Sequence, residues 1–92
     1  MIFTTKSDRI YAENDEGNVV AEVTFPAVAE GVVSINHTYV DDALRGQGIA
    51  DQLMERVYAL LKADGRKAKL VCIYAVKWYR RHPEKNDVVV EK

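Results

Sequence analysis

The sequence predicts an α+β fold, a mixed and mostly antiparallel sheet with one long core helix after its third strand and one short helix towards the C-terminus. Three observations carry this. The first forty residues hold short β-prone runs that alternate apolar and polar side chains, residues 49–64 repeat apolar side chains at helical spacing, and a further β-prone run follows before a short helical segment stopped by Pro83.

Arg9 to Glu13 reads as the first strand, and Asn14-Asp15-Glu16-Gly17-Asn18 as the turn of a hairpin whose second arm is Val19 to Phe25. In that arm Val19, Ala21, Val23 and Phe25 alternate with Glu22 and Thr24, so one face is buried. Pro26 ends the arm, Ala27 to Gly31 is a connection, and Val32 to Val40 is a third strand with Val33, Ile35, His37 and Tyr39 on one face. From Ile49 to Asp64 the positions Ile49, Ala50, Leu53, Met54, Val57, Leu60 and Leu61 form one helical stripe, and Gly65 suits the C-terminal cap. Ala68 to Tyr74 is then expected as a central strand, apolar on both faces, and Val76 to His82 as a short helix. Val88 to Val90 is a small strand or a packing segment.

Ninety-two residues, 48% hydrophobic and 29% charged, suit one domain over residues 1–92. A net charge of −1 supplies no global field for nucleic acid or an anionic membrane. Apolar runs such as Val57 to Leu61 fall short of the roughly 18 residues of a membrane span, and Met1 to Ser7 lacks a signal-peptide core, so a cytoplasmic location is expected. The single cysteine, Cys72, rules out an internal disulfide framework and a multi-cysteine zinc site; no metal is expected.

Arg45-Gly46-Gln47-Gly48-Ile49-Ala50 lies between the third strand and the long helix. Its glycines let backbone N–H groups converge on an anion at the positive end of the helix, and Arg45 adds a forked charge beside them. A dinucleotide fingerprint would need a third glycine where Asp51 stands, and a nucleotide P-loop would need Gly-Lys-Ser/Thr. What remains resembles the Gln/Arg-x-x-Gly-x-Gly/Ala signature of the Gcn5-related N-acetyltransferases (GNATs), matched by Arg45, Gly48 and Ala50. The order of elements from Arg9 to His82 is similar to the central half of that fold. Asn36-His37-Thr38-Tyr39-Val40, Arg45 to Ala50, Cys72 and Arg81-His82-Pro83 resemble the characteristic stretches of its minimal small-domain subfamily.

The resemblance implies a minimal GNAT-like fold and a coenzyme A or acetyl-CoA ligand. Its pyrophosphate would be held by Arg45, Gly46, Gln47, Gly48, Ile49 and Ala50, and its pantetheine arm and thioester carbonyl would meet main-chain groups of Tyr39 and Val40. Tyr79 stands where the family often has a tyrosine that protonates the departing thiolate; the plainer reading is a half-buried aromatic beside Trp78, itself taken as core. Cys72, expected inside the central strand, is either an acetyl-accepting nucleophile or a small buried hydrophobe. His37 is a general base for an amine or for Cys72, or a hydrogen-bonded strand-end residue, and His82 is read as a helix cap.

The leading expectation is an acetyl-CoA-dependent N-acetyltransferase acting on an unidentified amine, by direct attack or through acetyl-Cys72. A non-catalytic coenzyme A or acyl-CoA binding module is the alternative, and a small interaction domain using an exposed sheet edge is a third. The acceptor is open because the shortened fold omits parts that close an acceptor site, and pairing of copies is left open as well.

Overall fold

The computed structural model describes residues 1–91; Lys92, the last residue of the expected domain, lies outside them. β1 (Thr4–Thr5), β2 (Arg9–Glu13), β3 (Val19–Thr24) and β6 (His37–Val40) form an antiparallel sheet in the order β1-β2-β3-β6. β4 (Ala27–Ala29), β5 (Val32–Ile35), β7 (Lys67–Leu70) and β8 (Val89–Glu91) form a second sheet in the order β4-β5-β7-β8, in which β5, β7 and β8 run parallel. Helix α1 (Ile49–Asp64) joins β6 to β7, and α2 (Ile73–Arg81) follows β7.

The hairpin turn forms as its residues predict. The Asn14 side chain accepts the N–H groups of Glu16 and Asn18, both at 3.0 Å, and Gly17 takes the positive φ of 83° that the turn requires. Helix α1 spans its expected limits and buries Ile49, Leu53, Met54, Val57 and Leu61 against the first sheet. Gly65 ends it in the left-handed region, φ 75°, with its N–H on the Leu61 carbonyl.

The expected third strand is two strands. The N–H groups of Val71 and Cys72 both donate to the Ile35 carbonyl, at 3.1 and 2.9 Å, which closes the parallel pairing of β5 with β7. Asn36 then forms a bulge: its N–H and the facing position of His37 both fall on Thr24, whose hydroxyl donates to the Asn36 side chain at 2.6 Å. The extra residue shifts the alternation by one. Thr38 and Val40 therefore lie opposite the buried Val23 and Ala21 on the inner face, while His37 and Tyr39 lie opposite Thr24 and Glu22 on the outer face. The expectation that His37 and Tyr39 share a face with Val33 and Ile35 is corrected accordingly.

Three further expectations change. β7 stops at Leu70 and is apolar on one face only, since Ala68 and Leu70 are buried while Lys67 and Lys69 are exposed. Val71 to Tyr74 is β-prone, yet the Cys72 carbonyl accepts the Val76 N–H at 3.0 Å and α2 starts at Ile73, because Ala75, Trp78 and Tyr79 need one buried helical face. The connection after Pro26 contains β4, and β1 precedes the first expected strand. One hydrophobic core joins both sheets to both helices, and among the described residues both helices lie on its side of the first sheet. The outer face carries Arg9, Tyr11, Glu22 and Tyr39; Arg9 pairs with Glu22 and lies 3.8 Å from the centre of the Tyr11 ring.

Candidate functional site

A cleft of about 380 Å³ opens at the N-terminal end of α1. Its size falls within the ~300–1,000 Å³ usual for ligand pockets. β6 supplies one wall through Thr38 and Val40, and the loop that follows supplies Leu44, Arg45 and Gly46. The start of α1 supplies Gly48, Ile49, Ala50 and Asp51, and Tyr74 of α2 faces them. Thr38, Leu44, Asp51 and Tyr74 were not expected in the site. Thr38 was hidden by the slip at Asn36, and Tyr74 by the early start of α2.

The loop is shaped before it reaches the cleft. Asp41 accepts the Ala43 N–H at 2.9 Å and so caps a short turn over Asp42–Leu44, whose last N–H donor, on Arg45, reaches the Asp42 carbonyl at 3.3 Å. Gly46 and Gly48 both take positive φ, 84° and 73°, and a Cβ on either would meet no atom of the protein within 4 Å. Gly48 caps α1 with no side-chain hydrogen bond, and the first helical bond runs from the Gln52 N–H to the Gly48 carbonyl at 3.1 Å. The N–H groups of Ile49, Ala50 and Asp51 therefore have no acceptor inside the helix, stand at its positive end, and border the cleft. An anion is the group that fits there.

Two charges decide how strong the cradle is. Arg45 pairs with Asp42 at 2.9 Å, but both side chains are largely exposed, so the guanidinium is held weakly and can turn to a ligand. Asp51 places a carboxylate in the first turn, and that carboxylate accepts the indole N–H of fully buried Trp78 at 2.7 Å. The contact ties α1 to α2 and satisfies the indole, which confirms Trp78 as core.

Val40, Arg45, Gly46, Gly48, Ile49 and Ala50 thus meet in one cleft, whereas Gln47 and Tyr39 are exposed and do not line it. Cys72 is the N-cap of α2, just past the end of β7, and its thiol donates to the Thr38 hydroxyl at 3.6 Å. His37 projects from the opposite face of β6, away from Thr38. His82 sits at the other end of α2, roughly 15 Å from Cys72 at ~1.5 Å of rise per residue. Its ring stacks on Trp78 with centroids 4.1 Å apart and its Nδ1 lies 3.3 Å from Glu84, while its N–H closes the helix on the Tyr79 carbonyl.

Tyr79 does not face the cleft. It has no exposed surface, packs edge-on against Trp78 at 4.9 Å, and its hydroxyl finds no hydrogen-bond partner among the described residues. Burial first, then the charges of Tyr58, Asp87 and Glu55, push its pKa far above the ordinary phenol value. Tyr74 is the phenol at the cleft. Burial and the nearby Asp51 carboxylate raise its pKa against the opposing pull of Arg81, so it keeps its proton at neutral pH. Among the described residues no cluster of three or more His, Cys, Asp or Glu side chains is arranged to hold a metal, and no helix is long and apolar enough to cross a membrane.

The family described as GCN5-related N-acetyl-transferase matches residues 9–88. The chain belongs to this family. The expected family and fold are thereby borne out, and the loop of residues 45–50 lies inside the matched region. Among curated proteins the chain is similar to the protein NATD1 of Homo sapiens, 33% identical over 63 residues that make up 68% of this chain and 56% of NATD1. NATD1 of Gallus gallus matches at 33% as well, with 57% of its length covered, so the chain spans little more than half the length of the curated relatives it matches. A GCN5-like protein from Staphylococcus aureus, solved in solution, superposes with a TM-score of 0.81 at 26% identity, covering 99% of this chain and 89% of that one. The GNAT protein YhbS of Escherichia coli, crystallised in complex with CoA, superposes with a TM-score of 0.58 at 28% identity, covering 67% of this chain and 38% of YhbS.

Proposed function

We propose that this GNAT chain binds acetyl-CoA in the cleft and transfers its acetyl group to an amine. The observation that carries the reading is the uncapped N-terminus of α1, whose free N–H groups border a cleft walled by Thr38 and Val40 on one side and Tyr74 on the other. The N–H groups from Gly46 to Asp51 and the Arg45 guanidinium hold the pyrophosphate. One edge of β6 pairs with β3 and the other takes no strand among the described residues, so main-chain groups between Thr38 and Val40 are available to a pantetheine amide. The CoA complex of YhbS supports a ligand of this class in the same fold.

Bound there, acetyl-CoA supplies an acyl carbon activated by a thioester, so that a C–N bond forms as a C–S bond breaks. Tyr74 donates its phenolic proton to the departing sulfur, a role that its protonated state permits and that buried Tyr79 does not share. The incoming amine gives up its proton to solvent at the open cleft, since His37 projects from the face of β6 turned away from Thr38. Direct attack is the route proposed, because neither His37 nor His82 stands beside the Cys72 thiol to activate it.

The test is a titration of isotopically labelled protein with acetyl-CoA, read by NMR and followed by intact mass. Shifts centred on Thr38 to Asp51 that disappear in Arg45→Glu are expected, with no mass gain on Cys72. An acetyl adduct on Cys72 would overturn the direct route, binding without turnover on any amine would leave a CoA-binding module, and no shifts at millimolar ligand would end the cofactor reading.

A further inference from the structure

Along α2, Tyr74, Trp78 and Arg81 stand at i, i+4 and i+7 and so share one face of the helix. The Trp78 indole, 2.7 Å from the Asp51 carboxylate, fixes that face against the start of α1, where Asp51 and Tyr74 both line the cleft. Helical side chains lean towards the N-terminus of their own helix, so Arg81 reaches back from the last turn of α2 towards the Tyr74 phenol. Arg81 is exposed and takes no carboxylate partner among the described residues, in contrast to Arg9, Arg45 and Arg66, which pair with Glu22, Asp42 and Asp64. Two opposite charges therefore act on the phenol. Burial first, then Asp51 on α1, raise its pKa, while Arg81 lowers it through its charge and through a donated hydrogen bond. Arg45, in the loop before α1, is the remaining charge on the cleft wall.

We infer that Arg81 is a positioning residue for acetyl transfer: it holds the Tyr74 oxygen so that the phenolic proton is free for the departing sulfur, and it stabilises the phenolate left behind. The inference rests on the proposed role of Tyr74 as proton donor to coenzyme A. A guanidinium only donates hydrogen bonds, so it occupies a lone pair of the phenol oxygen and never competes for the phenol's proton. Asp51 is the acceptor that could take that proton, but the Trp78 indole already occupies its Oδ1. When the C–S bond breaks, its electron pair goes to sulfur and the Tyr74 proton follows, so coenzyme A leaves as a thiol. Water from the open cleft then reprotonates the phenolate. The proton transfer runs uphill, since a thiol has an ordinary pKa near ~8.5 and a phenol near ~10. Burial and Asp51 steepen the climb, and Arg81 is the group that lessens it.

The experiment labels the full chain with tyrosine carrying fluorine ortho to the hydroxyl, which lowers the pKa of every phenol and brings its titration below the alkaline limit of the fold. Fluorine NMR follows the Tyr74 resonance, identified by its loss in Tyr74→Phe. Arg81→Ala should move the Tyr74 midpoint to higher pH, Arg81→Lys should recover part of that change, and Asp51→Asn should move the midpoint to lower pH. The second readout is acetyl transfer from acetyl-CoA to hydroxylamine above the uncatalysed rate. Arg81→Ala should lower kcat about threefold to tenfold, since an exposed charge supplies the lower end of what an opposite charge beside an acid gives. The KM for acetyl-CoA should change less than about twofold, and in a Tyr74→Phe background Arg81→Ala should cost nothing further. A rise in KM alone would make Arg81 a phosphate contact, and a loss that persists without the Tyr74 hydroxyl would place its action elsewhere; either result overturns the inference. An unmoved Tyr74 midpoint in Arg81→Ala, with turnover intact in the unaltered protein, overturns the role of Arg81 alone. No turnover in the unaltered protein overturns the transferase reading on which that role rests.

Discussion

Gly48→Ala and Gly65→Ala form a matched pair that separates what the cradle needs from what the helix needs. The two glycines bracket α1 at φ 73°, ψ 19° and φ 75°, ψ 14°, and a Cβ at either position would meet nothing within 4 Å. Steric cost inside the protein is therefore nil at both, and the conformational cost is the same at both. Forcing alanine into the left-handed region costs about 1–2 kcal/mol. The reduced freedom of the unfolded chain returns about 0.4–1 kcal/mol, leaving a net loss of roughly 1 kcal/mol for each variant. In a domain of this size that lowers Tm by about 4–8 °C. The binding outcomes should diverge. At Gly48 the new methyl projects at the mouth of the cleft, beside the free N–H groups of Ile49 and Ala50, and should weaken CoA binding at least tenfold. At Gly65, at the far end of the helix, CoA affinity should change less than twofold. Thermal unfolding gives the first pair of numbers and calorimetric titration the second. Equal CoA affinities for the two variants would refute the assignment of Gly46 to Asp51 as the phosphate cradle, even if both lost stability as expected.

Other perturbations test neighbouring parts of the argument. Asp51→Asn keeps an oxygen that can accept the Trp78 indole N–H while removing a negative charge from the first turn, so affinity for inorganic pyrophosphate at low salt should rise about twofold to fivefold; Trp78→Phe, which loses a hydrogen bond to a charged group worth roughly 1.5–3 kcal/mol, should destabilise by at least about 2 kcal/mol in urea titration. Tyr79→Phe removes a buried hydroxyl without a partner and should be neutral or stabilising, with turnover unchanged, whereas Tyr74→Phe should lower kcat on a stopped assay; the reverse ranking would return the proton-donor role to Tyr79. Asp64 is held below its reference pKa of 3.8 mainly by its hydrogen bond from Arg66, and Asp87 below 3.8 mainly by its hydrogen bond from Lys62. Their contribution is present above pH 3.8 and is lost as pH falls through the lower folded-state values, so stability should decline below about pH 4. Asp87→Asn should flatten that acid limb in pH-dependent unfolding. Tyr79 has the opposite sign: its folded pKa lies above the unfolded value of 10.0, so stability falls as pH rises beyond 10.0 and Tyr79→Phe should remove part of that loss.

The amino-acid sequence by itself determined the hairpin, the long helix with its Gly65 cap, and the glycine loop from Arg45 to Ala50. Each of these depends on local rules: alternation, 3.6-residue spacing, and backbone angles that glycine adopts freely. Only the tertiary structure decided which side chains share the site. A one-residue bulge at Asn36 moved Thr38 and Val40 into the cleft and turned His37 and Tyr39 outward, and no pattern in residues 32–40 announces it, since the bulge is set by pairing with Thr24 and by the end of β7. The start of α2 followed the same logic. Val71, Cys72 and Ile73 favour a strand locally, but the burial of Ala75, Trp78 and Tyr79 against α1 and the sheets outweighs that preference, brings Tyr74 to the cleft and takes Tyr79 into the core. Local propensity is worth tenths of a kilocalorie per residue, while burying an aromatic side chain is worth several times more, so the packed core chose the residues that face the cleft.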